Sequence, residues 1–274
     1  MKKGLVIVII VGVLVLAGIY AFQGMYESRI ERQAESYEPA LDGNEQIEEE
    51  IIAVEESPPV SPPQESKPVL SGFGLNIEPF NAQTKKAGDL IFTKDLLFDD
   101  GHVDNDKVFV DFGHKDKYRK DSIGNIEYWF HVPLNTPVKS PLAGKIEISY
   151  IKHTKDWAVS IKQTNHEYIF SFEHVVNLKV KEGDYVNVGD ILGDASPRNT
   201  FNNKIAMVEL AVWKGGNRIE KFCPFNFLRE DLKPMYAEKI NTLASDWETF
   251  IGKDVYQQEN WVSPGCLVDM IFET

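Results

Sequence analysis

The sequence predicts a mainly β domain, an antiparallel sandwich or barrel, carried behind an N-terminal membrane helix. Residues 135–193 contain runs of β-branched and aromatic residues that alternate with a period of two, separated by Pro and Gly-Asp punctuation. No helical stretch lies between these runs, which excludes the βαβ crossover that a parallel sheet needs. Near the N-terminus, Lys2 and Lys3 precede nineteen residues, 4–22, without a charge. As a helix rising ~1.5 Å per residue, that run comes close to the ~30 Å of a bilayer's hydrocarbon.

The lysines ahead of the apolar run and the acidic residues from Glu27 onward orient the segment with its N-terminus in the cytoplasm and the bulk of the chain outside. Residues 1–23 therefore read as a single-pass signal-anchor of the cell membrane. The run is longer than a usual signal-peptide core, no small-x-small cleavage site follows it, and no cysteine stands behind it to take a lipid. Residues 24–68 combine a dense Glu run with Ser57-Pro58-Pro59-Val60-Ser61-Pro62-Pro63 and cannot bury enough apolar area to order themselves. They are expected to form an extended stalk.

Of the 274 residues, about 200 remain for one compact unit, enough for a substantial core. The formal charge of −13, from 29 basic and 42 acidic residues, argues against nucleic acid and against adhesion to anionic surfaces. The β domain is expected over residues 69–221, followed by a helical extension over 222–274. Residues 90–98 and 108–112 supply its first strands, with turns at Asp99-Asp100-Gly101 and Asp104-Asn105-Asp106. The latter lacks the Gly and distal Glu of a calcium loop.

In the central runs Ile146, Ile148 and Tyr150 share a face, as do Trp157, Val159 and Ile161, and as do Tyr168, Phe170, Phe172 and His174. Residues 205–213 form a further strand, with Val208, Leu210 and Val212 on one face and Met207, Glu209, Ala211 and Trp213 on the other; Gly215-Gly216 ends it. Tyr236, Ile240, Leu243, Trp247 and Ile251 then recur at helical spacing, with Asp231 as the expected N-cap, Pro234 near the first turn and Gly252 as the stop. Cys223 and Cys266 flank that helix and, in an extracytoplasmic domain, are expected to be bridged.

The order Thr136-Pro137-Val138, Ser140-Pro141, Gly144, two strands, Tyr168 with His174 six residues on, then Gly183-Asp184-Tyr185-Val186 and Gly189-Asp190-Ile191-Leu192-Gly193 resembles the lysostaphin (LytM-type) zinc metallopeptidases. These are peptidoglycan endopeptidases built on a duplicated hybrid motif, so the resemblance implies a barrel-sandwich hybrid core. It covers roughly residues 125–215. It also implies zinc, held by a His-x-x-x-Asp motif before the Thr-Pro-Val segment and by the second His of a His-x-His strand. At those positions this chain has Asn125, Trp129 and Met207-Val208-Glu209, while His174 occupies the place of the family's isolated catalytic histidine. A zinc enzyme needs about three protein ligands and an open position. The expected substitute set is His131, His174 and Glu209, as metal ligands or as a hydrogen-bonded network in a decayed site.

Three functions follow: a non-catalytic binding or regulatory module that meets an envelope peptide, polysaccharide or protein; a Zn2+-dependent endopeptidase with altered ligands; or a barrel-sandwich adaptor of an export system. The adaptor reading is weakened because adaptors insert a long helical hairpin between the half-motifs, where this chain has only strands. Lys155 lacks the flanking residues of a lipoyl-type attachment turn, and His102, His114, His153 and His166 sit in polar turns and are expected to be solvated.

Overall fold

Alternating apolar residues with few helix formers give short antiparallel strands, and in the computed structural model these curl around one core. It describes residues 67–97, 106–115, 124–164, 166–197, 204–216 and 218–273. The expected anchor and stalk fall outside the described residues, apart from residues 67 and 68, and so do His102 and most of the Asp104-Asn105-Asp106 turn. Among the described residues no helix is long and apolar enough to cross a membrane. The described residues all lie in the compact unit Ser61–Thr274.

A small hairpin, β1 (Lys86–Ala87) and β2 (Leu90–Ile91), leads into a 3-10 turn at Lys94–Leu97, where a longer strand was expected. The strand expected at 108–112 is the short β3 (Phe109–Val110), which pairs with β4 (Tyr128–Pro133). There follow β5 (Pro137–Lys139), β6 (Gly144–Ile151), β7 (Asp156–Lys162), β8 (Tyr168–Val176), β9 (Tyr185–Val186), β10 (Ile191–Pro197), β11 (Ile205–Lys214) and β12 (Ile219–Phe222). Helix α1 (Lys233–Ile251) and strand β13 (Met270–Glu273) complete the chain.

The organising strand is β11. One of its edges pairs with β4, placing His131 opposite Met207 and Trp129 opposite Glu209. The other pairs with β8, placing Glu173 opposite Glu209 and Ser171 opposite Ala211. Directly opposed residues share a sheet face, so Trp129, Glu209 and Glu173 form a row across three strands. Val208, Leu210, Val212, Phe130, Phe170 and Phe172 face the other way into the core and are fully buried. On the β6–β7 hairpin, Ile146 opposes Ile161, Ile148 opposes Val159 and Tyr150 opposes Trp157, so both expected faces meet.

Helix α1 buries Ile240, Leu243, Ala244 and Trp247, with Tyr236 and Ile251 half-buried along the same stripe. Trp247 packs edge-on to Phe92, with ring centroids 5.2 Å apart, and its indole N–H donates to the Asp106 carbonyl at 2.7 Å. Gly252 ends the helix in the left-handed conformation (φ 70°), which a residue without Cβ adopts freely. The N-terminus differs from expectation: the cap position is Leu232, without a side-chain hydrogen bond. Asp231 instead accepts two hydrogen bonds from the Arg229 guanidinium, a bidentate pairing that takes up both carboxylate oxygens.

Cys223 and Cys266 are joined in a disulfide with Cα atoms 6.0 Å apart. It ties the start of the helical extension to the chain just before β13, and the Tyr128 hydroxyl lies 3.0 Å from the Cys266 Sγ. The segment from Leu70 onward is fastened to the rest by main-chain bonds from Leu70 N–H to Phe227 and from Ser71 N–H to Pro141.

Candidate functional site

The polar face of the β4–β11–β8 sheet collects more ionisable groups than its exposure would suggest. Asp156, Glu127, Glu209 and Lys221 are buried, and Glu173 and His174 are half-buried. Lys221 reaches this face because β12 sets it opposite Trp213, two residues along β11 from Ala211.

His174 is brought here by a defect in the strand. Simple alternation from Tyr168 would send it to the core face with Phe170 and Phe172. The pairing of β7 with β8 instead shifts register between Trp157 and Val159, and His174 adopts φ 62°, a left-handed conformation rare outside glycine. The bulge turns the ring onto the face of Glu173 and Glu209. The imidazole Nδ1 lies 2.8 Å from the Asp156 carboxylate and Nε2 lies 3.5 Å from Glu209 Oε1.

The electrostatics follow from burial and pairing. Burial opposes a charged His174 ring, but the hydrogen bonds and charges of Asp156 and Glu209 outweigh it and raise its pKa from 6.5 to about 10. Burial also pushes Asp156 up, yet hydrogen bonds from His174, Thr154 and Ser196 with the imidazolium charge hold it below the ordinary carboxylate value. Glu173 rises from 4.5 to about 7, first through burial and then through the neighbouring Glu127 charge. Burial raises Glu127 further, with Glu209 adding to the rise; the Lys221 ammonium, 3.3 Å from Glu127 Oε1, counteracts it only in part.

Of the three residues expected to converge, the structure brings His174 and Glu209 together. His131, fully buried, stands opposite Met207 on the same face, but the atoms that lie within 4.8 Å of one another belong to Glu173, His174 and Glu209. Glu173 thus joins His174 and Glu209 as a third converging donor. Sequence reasoning passed over Glu173, Asp156 and Lys221, and it places Glu127 only within two residues of an expected ligand position, outside the substitute set. Position 173 alternates with Phe170 and Phe172 and so could have been assigned to the polar face; the other three reach the site through the β7, β4 and β12 pairings. His114 and His166 are half-buried where solvated rings were expected, with His114 Nδ1 3.3 Å from Lys107 Nζ, whereas His153 is exposed.

Of the positions where the sequence resemblance implied zinc ligands, Asn125 and Trp129 do not fit the ion and Glu209 does. The Asn125 amide donates to the Asp111 and Glu127 carbonyls and acts as a structural clip. The Trp129 indole offers no lone pair to a metal, and Met207, at the place of the first, catalytic histidine of the His-x-His strand, has only a thioether that cannot carry a proton. Glu209 alone among them is a zinc-type donor. A second donor set does fit a divalent cation: Glu173, His174 and Glu209 converge, and Asp156 orients the imidazole from behind as carboxylates do for metal-bound histidines.

The cleft lies on the polar face of a curled antiparallel sheet, crossed by β4, β11 and β8. Residues 128–221 match the model of Peptidase family M23, in agreement with the resemblance to the lysostaphin-type peptidases that the sequence carries over that stretch. Among solved structures the chain is similar to the antimicrobial peptidase lysostaphin from Staphylococcus simulans, at 18% identity and a TM-score of 0.33 over 39% of this chain and 43% of that one. It is similar also to the catalytic domain of the prophage-encoded M23 protein EnpA from Enterococcus faecalis, at 22% identity and 0.32 over 39% and 82%. LytU gives 26% identity and 0.36 over 48% and 86%. The chain thus spans about two fifths of the length of lysostaphin. No curated protein matches it in sequence.

Proposed function

We propose that the chain is a membrane-anchored, extracytoplasmic module that uses an M23-type domain to bind at the cell envelope without cutting, in a binding or regulatory role. The observation that carries this reading is the set Asn125, Trp129 and Met207 at positions where the family resemblance calls for metal-binding or catalytic side chains, with the Asn125 amide already committed to two carbonyls. Its ligand would be an envelope peptide, a polysaccharide or an envelope protein. The test incubates the full chain with cross-linked peptidoglycan and excess Zn2+ and analyses the soluble fraction by mass spectrometry. Sedimentation with the polymer and no released fragments is expected; cleavage that chelator abolishes would sink the reading. For the orientation, protease added outside intact cells should release the domain, and protection until the membrane is broken would refute it.

A second reading is favoured by one specific observation, the convergence of Glu173, His174 and Glu209. A Zn2+ held there would polarise a scissile carbonyl and supply an activated water. In that case Glu173 and Glu209 bind the ion with His174 Nε2, and Asp156 fixes the ring through Nδ1. Glu209→Gln keeps the shape and removes an anionic ligand, so it should abolish both metal binding and hydrolysis. Hydrolysis that survives the substitution would exclude this ligand set.

A further inference from the structure

Away from the polar cleft, a concave site of about 660 Å3 opens between the β1–β2 hairpin, the adjoining 3-10 turn, the junction of β4 with β11 and the end of α1. This volume lies within the ~300–1,000 Å3 typical of small-molecule sites. Its floor is apolar, made by Ile91, Phe92, Pro133, Ile205 and Phe250. Phe92 is held rigid by stacking on Phe80, with centroids 4.4 Å apart, and by edge contact with Phe250 at 5.5 Å. Four exposed lysines, Lys85, Lys86, Lys94 and Lys204, stand around the mouth, with Asp95 as the one acid among the described lining residues. In a chain of net charge −13 this local balance runs against the whole. Among the described residues Lys85, Lys86 and Lys94 enter no ion pair, and neither do Lys139, Lys145, Lys179 and Lys181, but only the first three gather with Lys204 at this mouth.

We propose that this cavity binds a single amphiphilic anion, a phosphate monoester on an apolar body, with the body on the Phe92–Phe250 floor and the phosphate among the lysines. Several cations around one mouth suit a group that carries up to two negative charges, and lysine serves phosphate as a flexible point charge. The floor adds affinity through apolar burial, which inorganic phosphate alone could not use. The mouth is set in advance: the Phe92 N–H donates to the Lys85 carbonyl at 2.9 Å, and the Asp89 carboxylate accepts from the Asn76 N–H at 2.7 Å, fixing the hairpin that presents Lys85 and Lys86. Concavity favours one molecule over a bilayer surface. None of these residues belongs to the cleft, so the proposal stands apart from the reading of that site.

The test is calorimetric titration of the full chain, held in zwitterionic nanodiscs, with naphthyl phosphate. Saturable one-to-one binding is expected, at least tenfold tighter than that of naphthol or inorganic phosphate and weakened as salt rises. The double substitution Lys85→Gln with Lys94→Gln, at exposed positions that leave the melting temperature unchanged, should weaken it at least tenfold. Equal binding of naphthol, an unchanged affinity in the double variant, or association with anionic vesicles without binding of the monomer would each overturn the proposal.

Discussion

Replacing Glu173 by Gln removes an acid of the cleft that titrates near neutrality. Its folded value of about 7, against an ordinary 4.5, arises first from burial and then from the Glu127 charge, opposed by Lys221 and His174. Between those two values the folded state holds a proton that the unfolded chain has released. The stability this proton contributes is therefore full below about 4.5 and lost as pH rises through about 7. At about 1.4 kcal/mol per pH unit the difference comes to ~3 kcal/mol, and solvent screening at a half-buried position reduces it to about 1–2 kcal/mol. His174 adds a later stage. Burial lowers its pKa, but pairing with Asp156 and Glu209 raises it to about 10, so its contribution is full below 6.5 and lost as pH rises through about 10. Urea unfolding in excess chelator should show Glu173→Gln losing less stability than wild type between pH 4.5 and 7, with Glu127, also raised by burial, keeping part of that loss and the upper stage unchanged. Equal slopes for the two proteins between pH 4.5 and 7 would refute the burial argument for Glu173.

Two further outcomes test the frame that holds the cleft. Separating Cys223 from Cys266, which lie 43 residues apart, should cost roughly 4 kcal/mol of stability by the loop-closure argument, read as a lower urea midpoint after reduction; an unchanged midpoint would show that the bridge constrains nothing. Gly74→Ala would place a Cβ 2.7 Å from the Lys139 carbonyl oxygen and against the Phe172 ring at φ 76°, so a loss of ~3 kcal/mol or more is expected, and a stable variant would mean that the segment before β1 packs otherwise.

The regular parts of the fold were legible because strand and helix periods repeat over many residues. The two faces of β11, the β6–β7 pairs and the α1 stripe each follow from three to five side chains in phase. The site was legible only in part. His174 and Glu209 could be named from the motif, but the bulge that turns His174 onto the Glu209 face is a single left-handed residue with no glycine to announce it. Asp156, Glu127 and Lys221 depend on pairings between distant strands, which a local period does not encode. The Asp231 cap failed for a related reason, since Arg229, two residues away, competes for the carboxylate that would have capped the helix.

The central proposal is that the cleft carries a network of carboxylates around His174 that works without zinc. The most direct measurement is the zinc content of the full chain after equilibration with Zn2+ and exhaustive dialysis, read together with the melting temperature with and without chelator. The account predicts far less than one zinc per chain and no chelator-induced shift, because a metal that contributes to folding would register in both. One zinc per chain, removed by chelator with a fall in melting temperature and lost in Glu209→Gln, would contradict it.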